Sequence, residues 1–212
     1  MANTSKFDRE QVLNKATRLF WQKGFHATSA RELQQALDMR PGSIYGAFGN
    51  KSTLFRLTLN KYADDMMLQL QQHLSDADSI LAGVKSFFLT QLGPVNEQRP
   101  CEQCYLAKSL SELEGVADDG LNEVQELLNA VEQQFTFLVK AAQEQGELPA
   151  AIAPDLVAKY WQVQLMGMRS FLKANNQLQA QSSQLCRQQV MHLLDCCFQP
   201  DVLEHIGDIK AQ

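Results

Sequence analysis

The chain of 212 residues has no apolar run approaching the roughly 18 residues that a membrane-spanning helix needs. It also lacks an apolar leader. Met1 to Lys6 run straight into charged, helix-periodic sequence, so a cytoplasmic protein with no membrane partner is expected. Cysteines number only five, odd and few for this length, which argues against a secreted disulfide framework. Gly-x-Gly-x-x-Gly, a Walker loop, Gly-x-Ser-x-Gly and His-Glu-x-x-His are all missing. With them go the common signatures of nucleotide, acyl-hydrolase and zinc-protease chemistry. Neither a catalytic residue nor a cofactor is expected. Strand-like alternation bounded by turns is absent too, so a sheet is not expected.

An excess of basic residues is also lacking, since the net charge is −5. That average hides two unlike parts. Residues 1–62 hold ten Lys/Arg against four Asp/Glu, a charge of +6, and the remaining 150 residues carry −11. A basic module on an acidic body accounts for such asymmetry.

What is present reads as helix nearly throughout. Val12, Ala16, Leu19 and Phe20 share one helical face, with Asp8 as N-cap and Gly24 just past the last turn. Ser29-Ala30-Arg31-Glu32 is a capping box that opens a short helix reaching about Leu37. Asp38 and Met39 make a turn, and Pro41 starts a third short helix. Asn50 then caps a long helix from Lys51 to about Leu74. Beyond it, Gly93-Pro94, Pro100, Gly115 to Gly120 and Gly146 to Pro154 separate helices near 78–92, 102–113, 119–145, 155–175 and 182–198. The expected fold is all-α, with a three-helix head (1–60) joined by the long helix to a larger helical body (61–212).

A capped helix, a tight turn and a second short helix form the plan of a helix-turn-helix. Such a motif needs small or polar residues leading the second helix into a major groove, with phosphate-gripping groups around it. Here Arg40, Pro41, Gly42, Ser43 and Tyr45 would face outward. Ala36, Leu37, Met39, Ile44 and Phe48 would pack inward with Leu33 and Phe20. Ser43, Tyr45 and Lys51 can reach phosphate, and Arg31 either phosphate or a base edge. A structural helical hairpin would bury the same inward residues, and periodicity does not separate the two.

The residues themselves do. Gly24-Phe25, Thr28-Ser29, Ile44-Tyr45-Gly46-Ala47-Phe48, Lys51 and Leu54-Phe55 closely resemble the DNA-binding head of the TetR family of bacterial transcriptional regulators. The resemblance covers residues 8 to about 60 and rests on several spacings holding together. It departs from the family pattern at Asp38, where the turn glycine stands, and at Ala47, where a phosphate-binding histidine is usual. Asp tolerates the left-handed region better than most residues. The resemblance implies a homodimer on a near-palindromic operator, a repressor until an effector reaches the body. It implies DNA contacts from Thr28, Arg31, Arg40, Pro41, Gly42, Ser43, Tyr45 and Lys51.

In the body, Tyr160, Val163, Gly167 and Phe171 make one stripe and Cys186, Val190, Leu193 and Cys197 another. The resemblance makes these the dimer interface; ordinary core would show the same spacing. Phe88, Leu106, Leu110, Phe135, Trp161, Leu165 and Met168 are candidates for the wall of a pocket taking an unidentified small-molecule effector. Cys101-Glu102-Gln103-Cys104 follows Arg99-Pro100, and an arginine beside a helix start favours thiolate, so Cys101 or Cys104 could sense oxidants or electrophiles. Two small buried residues would read alike. A metal site is the third alternative, but one Cys-x-x-Cys supplies two ligands and no second pair has zinc spacing, so no metal is expected. The rival functions are a Cys-x-x-Cys redox or metal-binding helical protein and an interaction module without DNA. The charge split and the patterned head count against both.

Overall fold

The computed structural model describes residues 8–113, 120–175 and 180–207. Among these there are ten helices and no strand: α1 (Arg9–Lys23), α2 (Ala30–Leu37), α3 (Pro41–Phe48), α4 (Lys51–Ser75), α5 (Ile80–Leu92), α6 (Tyr105–Leu113), α7 (Gly120–Glu144), α8 (Pro154–Asn175), α9 (Ala180–Cys196) and α10 (Pro200–Gly207).

Local chemistry sets the helix ends in the head. The Asp8 carboxylate accepts from the N–H groups of Glu10 and Gln11, and the Ser29–Glu32 capping box is made in both directions. Asn50 Oδ1 accepts from Thr53 N–H at 2.8 Å. Asp38 ends α2 in the left-handed region (φ 52, ψ 43), the conformation that the turn demands. Two elements differ from the sequence expectation. The segment around 102–104 is irregular and α6 starts only at Tyr105; α10 was not foreseen, because Pro200 reads as a stop although proline is also suited to a first helical turn. Gly115, placed in a connection, lies outside the described residues.

Phe20, Leu33, Ile44, Leu54 and Phe55 are fully buried and form the core of the head. That core does not end where the body begins. Trp21 of α1, Tyr62 of α4 and Tyr105 of α6 meet ring against ring, at centroid separations of 4.9 Å (Trp21–Tyr62), 5.6 Å (Tyr62–Tyr105) and 6.2 Å (Trp21–Tyr105). The body packs α7 against α8, with Phe88, Phe135 and Trp161 buried between the helices. Burial of such rings is among the larger apolar contributions in a domain of this size.

Candidate nucleic-acid interface and its link to the body

α3 lies with Ile44 and Phe48 buried and its opposite side open. Arg40, Gly42 and Ser43 are exposed, and Pro41 and Tyr45 are half-buried at the edge of the core. A side chain added at Gly42 or Gly46 would meet nothing within 4 Å, so the α3 backbone is accessible to a large partner on this face. Gly46 belongs with the outward set, and sequence reasoning left it out. Arg31 is exposed on α2. Lys51, at the start of α4, holds its ammonium 4.6 Å from the centre of the Phe25 ring. Burial pulls its pKa below the usual lysine value, opposed by the charge of Glu32. The cation–π contact fixes the ammonium next to the first turn of α4, where unpaired N–H groups also attract anions.

Thr28 requires a correction. It is fully buried, and its hydroxyl donates to the Gly24 carbonyl at 2.7 Å. It shapes the loop before α2 and does not reach outward. Ser29 and Glu32 are spent locally on the cap. Lys23 pairs with Glu32, and this hydrogen bond, followed by those from Ser29, lowers the Glu32 pKa to about 2.

The head is clamped from behind by α6 and the segment before it. Lys108 Nζ donates to the carbonyls of Trp21 and Gln22, both at 2.9 Å, satisfying the C-terminal end of α1. Phe25 N–H donates to Glu112 Oε2 at 2.6 Å, and the indole N–H of Trp21 donates to the Gln103 carbonyl at 2.8 Å. Behind Gln103 stands Arg169 of α8, almost wholly buried. It donates to the Glu102 carbonyl (2.7 Å), the Gln103 carbonyl (3.3 Å), Tyr62 Oη (3.0 Å) and Gln91 Oε1 (3.3 Å), and its guanidinium lies 5.6 Å from the Trp21 ring centre. Phe25, Glu102 and Gln103 stand in motifs that the sequence displays, but the linking role of these residues is not legible there. A lone arginine among the apolar residues of α8 was the available signal.

Cys101 and Cys104 are both buried beside this cluster, with Cys104 Sγ 3.6 Å from Tyr62 Oη. Among the described residues, no group of three or more His, Cys, Asp or Glu side chains could hold a metal. The apolar pocket residues divide. Leu106, Phe135 and Leu165 border a cavity of about 20 Å³, together with Met66, Cys104 and Arg169. Phe88, Leu110, Trp161 and Met168 do not line it; Phe88 and Trp161 are close-packed core, with Phe135 between them at 5.8 and 6.1 Å.

The two stripes of the body also divide. On α8, Val163 is 65% exposed and Phe171 51%; on α9, Leu193 is 54% exposed and Leu185 56%. Gly167 lies open between Val163 and Phe171, and Tyr160 is half-buried. Cys186, Val190 and Cys197 instead face inward and are buried in the chain's own core. Three of the four residues of that stripe therefore mark the inner side, and Leu193 departs from it. The outer side is carried by Leu185 and Leu193.

An α3 with small residues outward and Arg40 at its N-cap, held in a helix-turn-helix and backed by a helical body, defines a DNA-binding transcriptional regulator, not an enzyme. Residues 12–57 match the family model "Bacterial regulatory proteins, tetR family", so the helix-turn-helix head is of that family's type. It is similar to the HTH-type transcriptional repressor ComR of Escherichia coli (strain K12), 25% identical over 163 residues, covering 76% of this chain and 78% of ComR. The repressor BdcR of the same organism is 41% identical over 71 residues, about a third of each chain (34% and 36%). Among solved structures, a cysteine mutant of the TetR family regulator CifR, complexed with 26bp double-strand operator DNA, superposes with a TM-score of 0.75. The identity there is 21%, covering 93% of this chain and 98% of that one.

Proposed function

We propose that this regulator is a homodimeric, cytoplasmic repressor that grips a near-palindromic operator and releases it when an effector acts on the body. The observation that carries the reading is the outward set of Arg40, the N-cap of α3, with Gly42 and Ser43 on α3, accompanied by Arg31, Tyr45 and Lys51. The first group sits where base edges would be read and the second where phosphate would be held. The exposed apolar stripe Val163–Gly167–Phe171 on α8, with Leu185 and Leu193 on α9, supports pairing about a two-fold axis. Two heads so related would set recognition helices about 34 Å apart or a multiple of that. Selection of duplexes from a random pool, followed by binding at several salt concentrations, tests the reading. A paired half-site and a log–log salt slope near −0.9 per phosphate contact are expected. Recovery of no duplex preference overturns it.

A thiol-dependent route of release is supported by the position of Cys104. Its Sγ touches Tyr62, whose ring packs on Trp21 of the head, so a bulky adduct at that sulfur would press on the head–body contact. Alkylation with N-ethylmaleimide should release operator from the wild type and not from Cys104→Ser. Release that persists in both Cys104→Ser and Cys101→Ser ends this route.

A further inference from the structure

The apolar cavity bordered by Leu106, Phe135 and Leu165 measures about 20 Å³, room for one water. The open space lies elsewhere. A cleft of about 430 Å³ runs between α1 of the head, α4, the end of α5 and the loop that follows. That volume is within the range of small-molecule sites. Its walls are polar and cationic. Arg18 comes from α1, Lys61 from α4 and Arg99 from the loop, against one lining carboxylate, Asp65. Asp65 is already spent on Lys61 at 2.5 Å. Arg18 has no hydrogen-bond or ion-pair partner among the described residues.

Arg99 is the more telling cation. It is buried, and its side chain donates to the Gly93 carbonyl. Near it are two further guanidiniums, Arg169 and Arg187, and a single carboxylate, Glu102, which pairs with Arg187 at 2.6 Å. Three guanidiniums against one carboxylate leave an excess of positive charge in a region of low dielectric. Burial first, and then repulsion from Arg169, lowers the Arg99 pKa to about 10. Buried charge is tolerated when it is paired, so an anion entering the cleft would meet a charge the protein leaves uncompensated. The rest of the wall fits a ligand with a flat unsaturated part, since Trp21 and Tyr62 bring ring surface.

We infer that this cleft binds a small organic carboxylate, held between Arg99 of the body and Arg18 of the head, and that this is the effector site. The inference rests on the effector-released repressor proposed above. A carboxylate bridging Arg18 and Arg99 would draw α1 toward the loop after α5. It would act on the equilibrium only through its preference for that arrangement, and so alter the spacing of the two heads.

The experiment is calorimetric titration of the full-length protein with benzoate, salicylate and butyrate, with benzamide and benzylamine as neutral and cationic controls at matched ionic strength. Operator binding is measured in parallel by fluorescence anisotropy. At least one carboxylate should bind and release operator, with its amide counterpart about tenfold weaker or more, as for a lost charge-assisted hydrogen bond. Arg18→Gln, on the partly exposed face of α1, should weaken carboxylate binding by a similar factor at unchanged unliganded operator affinity. Arg99→Gln should do likewise, with circular dichroism reporting its fold. Failure of all three carboxylates to bind, or equal binding by wild type and Arg18→Gln, overturns the inference while operator binding stands. Absence of operator binding in every arm instead overturns the repressor reading.

Discussion

Glu112 of α6 occupies the space that a side chain at Gly24 would need: a Cβ there would stand 2.0 Å from the Glu112 carboxylate. Gly24 also has φ 92, a region strained for any other residue. Gly24→Ala should therefore lose about 2 kcal/mol or more, combining backbone strain with displacement of the Glu112–Phe25 hydrogen bond. Urea unfolding measures it. A loss no larger than that of an exposed surface alanine would show that the head does not depend on this contact.

Arg169 holds two carbonyls, Tyr62 and Gln91 in a buried setting. Arg169→Met keeps much of the volume and orphans those acceptors, at a cost of about 3 kcal/mol. Because Gln103 also accepts from Trp21, hydrogen exchange at the end of α1 should speed up in this variant. Unchanged exchange there would confine the role of Arg169 to the body.

Lys51 and Arg40 separate grip from reading. Lys51→Gln should weaken binding to all duplexes alike and reduce the salt slope by about 0.9. Arg40→Ala should relax preference at one base pair per half-site, by about 1–3 kcal/mol. Thr28→Ala should lower stability without changing the slope. Salt titrations on specific and random duplexes distinguish the three.

The pH dependence follows from Glu32. Its folded pKa of about 2 lies below the reference value of 4.5, so the carboxylate contributes stability above pH 4.5, and that contribution is lost as pH falls from 4.5 towards 2. The stability gap between wild type and Glu32→Gln should be flat near neutrality and narrow through that window. Because the group is at the surface, the gap should also shrink with added salt. A gap that is constant down to pH 3 would rule out the ion pair and cap as its source.

The outer and inner faces of α8 and α9 should respond differently. Phe171→Glu places charge in the exposed stripe and should shift the protein towards monomer in sedimentation, with the subunit still folded. Val190→Ala removes a buried group and should cost about 2 kcal/mol without dissociating a dimer. Dissociation by Val190→Ala alone would reverse the assignment of the two faces.

The helix boundaries of the head were legible because capping is decided within three or four residues. Asp8, Ser29 with Glu32, and Asn50 each bond to backbone of their own first turn. Asp38 was legible for the same reason. On α9 the spacing of Cys186, Val190 and Cys197 gave the period and not the partner, since a core stripe and an interface stripe repeat alike. Thr28 was misplaced because its bond to Gly24 depends on how the loop between α1 and α2 folds back.

The sequence alone determined a basic head with an outward α3, an acidic helical body and the punctuation between helices, all properties of composition and of near neighbours along the chain. The tertiary structure decided what spans long separations. It set Glu112 on the loop after Gly24, Arg169 behind Gln103 and Trp21, and Arg18 with Arg99 around one cleft. Those pairs lie up to 148 residues apart, as with Arg169 and Trp21, and no local propensity encodes them. They meet because Trp21, Tyr62 and Tyr105 bury their aromatic faces in one core shared by α1, α4 and α6.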